Sequence, residues 1–142
     1  MIVVDTSVWS RAFRRRPSAP PDPVAGLLSR LIEAHERVVV PGIVLQELLS
    51  GVRDPSQGTR LAAAMAPFDV ILATHEDHVL AASISNTCRA RGVAVTTPDA
   101  LIAASAARRQ ALLLTADHDF VRMAECHPFP VRFVPDEVRD PG

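Results

Sequence analysis

The chain has 142 residues, 48% of them hydrophobic and 22% charged, with a formal net charge of −1. That balance describes a globular domain with a sizeable core and excludes both a disordered chain and a global basic field built to hold nucleic acid. All 15 basic residues are arginine and tyrosine is absent, which excludes a Schiff-base lysine, a P-loop lysine and an aromatic platform for stacking single strands.

No internal repeat or low-complexity linker divides the sequence, so residues 1–142 are expected to form a single domain. No apolar run approaches the ~20 residues needed to span a bilayer. The N-terminus lacks a basic region followed by an apolar one, so a cytoplasmic protein without a membrane span is expected. Cys88 and Cys126 fit neither a disulfide framework nor a metal knuckle, and are expected to be reduced and partly buried.

The elements follow in chain order. Ile2–Val4 reads as a strand running into Asp5, with Thr6 or Ser7 placed to cap the helix behind it. The Pro-rich "RRRPSAPPDP" at 14–23 reads as a loop. Val24–Ala34 carries Val24, Leu27, Leu28, Leu31 and Ile32 on one helical face. The strand Val38–Val40 leads through Pro41, at a first turn, into a helix that stops at Gly51. Another strand is predicted at Val70–Leu72. "THED" at 74–77 is a capping-box pattern that opens a helix toward Arg91–Gly92. Pro98 opens a helix through "DALIAASAARR", whose two final arginines suit a helix C-terminus. Leu112–Leu114 is a strand that runs on to Asp117 and Asp119, with Asp119 placed to cap a helix from Phe120. Val131–Val134 supplies the last strand.

Strands alternating with helices predict an α/β fold, in three layers around a central parallel sheet. Runs such as "VVV" and "LLL" suit strands covered on both faces. Sites in such sheets collect at the carboxyl edge of the strands, near a switch in strand order. Asp5 and Asp117 both stand there. Glu47 lies on the helix that follows the Val38–Val40 strand, and Asp99 falls in the first turn of its own helix, each among apolar neighbours.

Each acid has an ordinary explanation alone, as a helix-terminus or solvated carboxylate. Together they have a different consequence. Two unit charges ~4 Å apart repel by ~4 kcal/mol at an effective dielectric near 20. If Asp5, Glu47, Asp99 and Asp117 converge, either carboxyl pKa values rise or a cation sits among them. All-oxygen ligands select magnesium or manganese over zinc. An ion so held activates water for displacement at a phosphodiester. Thr6, Ser7 and Thr115 are placed to orient these acids or a water. Arg11, Arg14, Arg15 and Arg16 form the densest basic cluster, suited to an RNA backbone, to an acidic peptide of a partner, or simply to solvent.

The stretches "VVDTSVW", "VLQELLSG", "PDALIAA" and "LLTADHDF" resemble, in order and spacing, the four blocks of PIN-domain ribonucleases. The short single-domain form is similar to the VapC toxins of bacterial type II VapBC toxin–antitoxin pairs. The resemblance implies a PIN-like fold, with Asp5, Glu47, Asp99 and Asp117 as catalytic, metal-binding acids and Asp119 as an auxiliary. It further implies hydrolysis of RNA with Mg2+ or Mn2+, a homodimer, and silencing by a cognate VapB-type antitoxin. The alternative is a catalytically weak PIN module acting mainly as the antitoxin-binding partner in a transcription-autoregulating complex. A receiver domain needs a lysine, and a haloacid dehalogenase needs D-x-D plus a lysine, so "DTS" in a lysine-free chain fits neither.

Overall fold

The computed structural model describes residues 1–13 and 22–135. In these, β1 (Ile2–Val4) is followed by α1 (Thr6–Phe13), α2 (Pro23–Glu33), β2 (Val38–Pro41) and α3 (Gly42–Ser50). Then come α4 (Pro55–Met65), β3 (Asp69–Ile71), α5 (His75–Ala90), α6 (Thr97–Arg108), β4 (Leu112–Thr115), α7 (His118–Cys126) and β5 (Val131–Phe133). The strands form one parallel sheet in the order β3-β2-β1-β4-β5, and the helices give the expected three-layer α/β/α fold.

The burial of each strand follows from its place in the sheet. β1 and β2 are buried throughout and β4 nearly so, because helices cover both faces; the edge strands β3 and β5 are largely exposed. Strand order reverses between β1 and β4, so the switch point lies between them. Val4 pairs with Leu114, which sets Asp5 beside Thr115 in register. The amide of Asp5 donates to the Leu114 carbonyl at 3.1 Å.

The helix starts reveal caps that differ in part from the sequence reading. Asp5, and not Thr6 or Ser7, opens α1: its Oδ1 accepts from the Val8 amide at 3.2 Å. Asp117, and not Asp119, caps α7, accepting from the Asp119 amide at 2.9 Å. Position decides both: Asp5 and Asp117 directly precede the first residue of their helices, whereas Thr6, Ser7 and Asp119 already lie inside them. Asp22 caps α2 with Pro23 at its first position, while residues 14–21 of the predicted loop lie outside the described residues. α4 escaped the sequence reading altogether, although Asp54 before Pro55 carries the same signal. β3 lies one residue earlier than predicted, which leaves Leu72 74% exposed beyond the sheet. Gly92, at φ +76, ends α5 in a left-handed turn in which the Val93 amide returns to the Cys88 carbonyl.

The core is built from Val3, Val4, Val39, Val40, Leu113 and Leu114 of the sheet, with Trp9, Ile84, Ile102 and Phe120 from the helices. α6 buries Ala100, Ala103, Ala104, Ser105 and Ala106, small residues that let α5 pack closely. Trp9 meets Phe68 edge-on at 4.9 Å between ring centroids.

The capping box of α5 forms as read, with Thr74 and Asp77 exchanging bonds. Asp77 also has a role the sequence did not disclose. It is fully buried, and Arg108 and Arg109 clamp its two oxygens at 3.1 and 3.0 Å. Arg109 reaches onward to the carbonyls of Ser105 and Leu72. One carboxylate therefore ties the start of α5 to the end of α6 and the exit of β3. Asp77→Ala leaves two cations facing a buried void, and is expected to destabilise the fold by about 2–3 kcal/mol. Urea denaturation checks this, with Glu76→Ala as an exposed control expected to change stability by less than about 0.5 kcal/mol.

Candidate active site

Four segments distant in sequence bring carboxylates to the carboxyl edge of the sheet at its switch point. Asp5 follows β1, Glu47 projects from α3, Asp99 sits in the first turn of α6, and Asp117 follows β4. Asp5 is the most buried, at 2% exposure, while Glu47, Asp99 and Asp117 are half-buried and Asp119 is exposed. Carboxylate oxygens of Asp99, Asp117 and Asp119 all lie within 4.8 Å of one another, a spacing one cation can bridge. Asp119, read as auxiliary, thus belongs to the tightest trio, while Asp5 and Glu47 lie outside it but close enough for their charges to act on Asp99.

Hydroxyls fix the inner acids. Ser7 Oγ donates to Asp5 Oδ1 at 2.6 Å, and Thr115 Oγ1 donates to Asp5 Oδ2 at 2.6 Å. The same two hydroxyls accept from the amides that lead into α7, Ser7 from Ala116 and Thr115 from Asp117, each at 2.9 Å. The Asp5 carboxylate and the backbone carrying Asp117 are therefore built against each other. Thr6 Oγ1 donates to Glu47 Oε1 at 3.1 Å and ties α1 to α3. All three hydroxyls singled out from sequence touch an acid. Thr96, which was not singled out, caps α6 and accepts from the Asp99 amide at 3.3 Å. Its signal was the T-x-x-D spacing of "TTPD".

The electrostatics record the crowding. Burial pushes the Asp99 carboxyl up to about 6, with the charges of Asp117, Glu47 and Asp5 adding to the rise. Burial also raises Asp5, opposed by its bonds from Ser7, Thr115 and Val8 and reinforced by Asp117. Both groups hold a proton more tightly in the folded chain than at their ordinary value of 3.8. Native protein therefore takes up protons first, and the metal-free fold gains stability as pH falls from about 6 toward 3.8. Below that window Asp77 acts the other way. Its pKa is held down against burial by the Thr74 amide and the two arginines, so its stabilisation is lost as it protonates. With metal chelated, the gain in melting temperature from pH ~7 to pH ~5 is expected to be larger in the parent than in Asp99→Asn. Thermal unfolding across that range checks it.

Of the arginine cluster, Arg11 Nε donates to Asp22 Oδ2 at 3.0 Å and joins α1 to the cap of α2. Arg14, Arg15 and Arg16 lie outside the described residues. Asp119 is paired with Arg122 at 3.3 Å on an exposed face. His118 stands edge-on to Phe133 at 5.3 Å, and among the described residues no histidine joins a cluster that could hold a metal.

The PIN domain family matches residues 2–125, most of the chain. This chain belongs to the PIN domain family. Its PIN fold is similar to that of several solved structures. VapBC2 from Rickettsia felis, bound to a DNA fragment from its promoter, aligns with a TM-score of 0.75 and 16% identity, covering 94% of this chain and 99% of that one. DNA-bound VapBC from Salmonella typhimurium aligns at 0.76 and 17%, covering 93% and 96%. Mycobacterium tuberculosis VapC20, a Sarcin-Ricin loop cleaving toxin, aligns at 0.61 and 23%, covering 85% and 93%. No curated protein sequence matches the chain. Among the described residues of this PIN domain, no helix is long and apolar enough to cross a membrane.

Proposed function

We propose that this PIN domain is the toxin of a VapBC-type toxin–antitoxin pair, an endoribonuclease that hydrolyses RNA phosphodiester bonds with Mg2+ or Mn2+. The observation that carries the reading is the crowding of Asp5, Glu47, Asp99 and Asp117 at one lip of the sheet, whose charges add to the burial that lifts Asp99 to about 6. A fold that keeps such repulsion at one lip of its sheet has a use for a cation there.

The donor set fits a hard divalent ion, because every ligand offered is a carboxylate oxygen. Asp99, Asp117 and Asp119 would hold it, with Asp5 and Glu47 contributing charge nearby. When bound, such an ion supplies the positive charge that phosphate oxygens and an attacking water require. The chain does the rest. Ser7 and Thr115 hold both oxygens of Asp5, and with them the strand end that presents Asp117. Thr6 keeps Glu47 turned toward the β1 end. Without a cation, Asp99 is the carboxyl best suited to carry a proton near neutral pH.

VapBC complexes among the similar structures support a VapB-type antitoxin as partner, and VapC20, as a cleaving toxin, supports nuclease action. The test is manganese-dependent cleavage of cellular RNA by protein freed of antitoxin. RNA left intact would favour instead a catalytically weak module that serves its antitoxin as a binding partner.

A homodimer is part of this reading. Its support is an apolar face at the β3 edge, where Leu72 and Val70 flank Gly42 with 74% and 42% of their surface exposed. Pro41, Ile43, Ile71 and Leu101 line the adjoining groove. Leu72→Glu is expected to weaken dimerisation by at least about tenfold, since it puts a charge into an apolar contact. Sedimentation equilibrium checks it, and an unchanged dimer places the interface elsewhere.

A further inference from the structure

We propose that Cys88 and Cys126 form a peroxide-sensitive dithiol, closed into an intramolecular disulfide that ties α5 to α7. This goes beyond the nuclease reading and does not depend on it. Both thiols are free, Cys88 fully buried near the end of α5 and Cys126 half-buried at the last position of α7. Two contacts bracket them. Cys88 Sγ lies 4.0 Å from the Met123 carbonyl, one turn before Cys126. Arg91, one turn after Cys88, donates to the carbonyl of Glu125 at 3.1 Å, next to Cys126. The helices thus meet at the level of the two sulfurs, and Cys126 is near enough to act on the Cys88 thiol. The acids occupy the opposite end of α7, so this pair is separate from the site.

The difference in exposure assigns the roles. Burial, reinforced by Cys126 beside it, raises the Cys88 thiol above its ordinary value and keeps it protonated. Cys126 is the sulfur a small oxidant can reach. Its thiolate attacks hydrogen peroxide, the O–O bond breaks, and sulfenic acid forms as hydroxide leaves and is protonated to water. The Cys88 sulfur then attacks the sulfenic sulfur. The S–O bond breaks and the departing hydroxide takes the Cys88 proton, giving a second water. Two electrons pass from the sulfurs to the peroxide, and a thiol reductant reverses the change.

The test treats the purified full-length protein with hydrogen peroxide, blocks remaining thiols and maps peptides without reduction. The expected result is one species in which the Cys88 peptide is joined to the Cys126 peptide, at protein concentrations low enough to prevent links between chains, and released by dithiothreitol. In Cys126→Ser, a conservative change at a half-buried position, Cys88 is expected to stay available to the blocking reagent after denaturation. A parent in which Cys126 instead accumulates as sulfinic acid, with Cys88 free, overturns the proposal. So does a variant in which Cys88 is oxidised as fast as in the parent.

Discussion

Asp117→Asn is expected to lower RNA cleavage by about 100–1,000-fold, the scale seen when one preorganised charge is taken from a site. The substitution isolates that charge. Asn caps a helix about as well as Asp, so the bond from the Asp119 amide to position 117 survives and α7 still begins at His118. Asp117→Ala adds the loss of the cap, a further cost of about 1 kcal/mol in stability. Asp5→Asn is expected to give a similar loss of cleavage by a different route. Ser7 and Thr115 both donate to the Asp5 carboxylate, so an amide nitrogen there faces a hydroxyl that must turn. That turn disturbs Thr115, which accepts from the Asp117 amide. Cleavage of labelled RNA with manganese, alongside circular dichroism of each variant, separates lost chemistry from lost fold. Variants that retain parental activity and parental fold would remove these acids from the reaction.

The second large effect is on stability. A cation that binds the folded chain alone stabilises it by RT ln(1 + [M]/Kd), about 2.7 kcal/mol at one hundred times Kd. For a domain of this size, that corresponds to roughly 5–10 °C in melting temperature. Magnesium or manganese is expected to produce this rise in the parent and to fail in Asp99→Asn and Asp117→Asn. With metal chelated, the order reverses. The variants match or exceed the parent, because removing one charge relieves the repulsion that adds to burial in lifting Asp99 to about 6. Scanning calorimetry with chelator, magnesium and manganese reads both arms. Parent and variants that respond alike to metal would contradict a shared site.

The sheet and the acids were legible in the sequence because both depend on short-range patterns. Apolar runs ending on Asp5 and Asp117 mark strands covered on both faces, and their carboxyl ends are where an open parallel sheet keeps its site. Asp99 and Glu47 were legible only as members of a set. What the sequence hid depends on contacts between distant residues. Nothing local distinguishes Asp77, a cap like any other, from the buried anion that Arg108 and Arg109 clamp across more than thirty residues. The choice between Asp5 and its neighbours Thr6 and Ser7 as cap needed the register of β1 against β4, which sets Thr115 beside Asp5. Asp119 looked secondary because its local pattern reads as a helix cap and the family resemblance gives it only an auxiliary place. In space, the first turn of α7 folds it back toward Asp99. α4, like the Thr96 cap, is a miss with a local signal, since Asp54–Pro55 repeats the Asp22–Pro23 start of α2.

The central claim is that these acids share a divalent ion, and anomalous scattering from crystals grown with manganese addresses it most directly. The account predicts a manganese peak bounded by the carboxylates of Asp99, Asp117 and Asp119, and no peak there in crystals of Asp117→Asn. Manganese absent from that position in the parent, at concentrations that support cleavage, would contradict it.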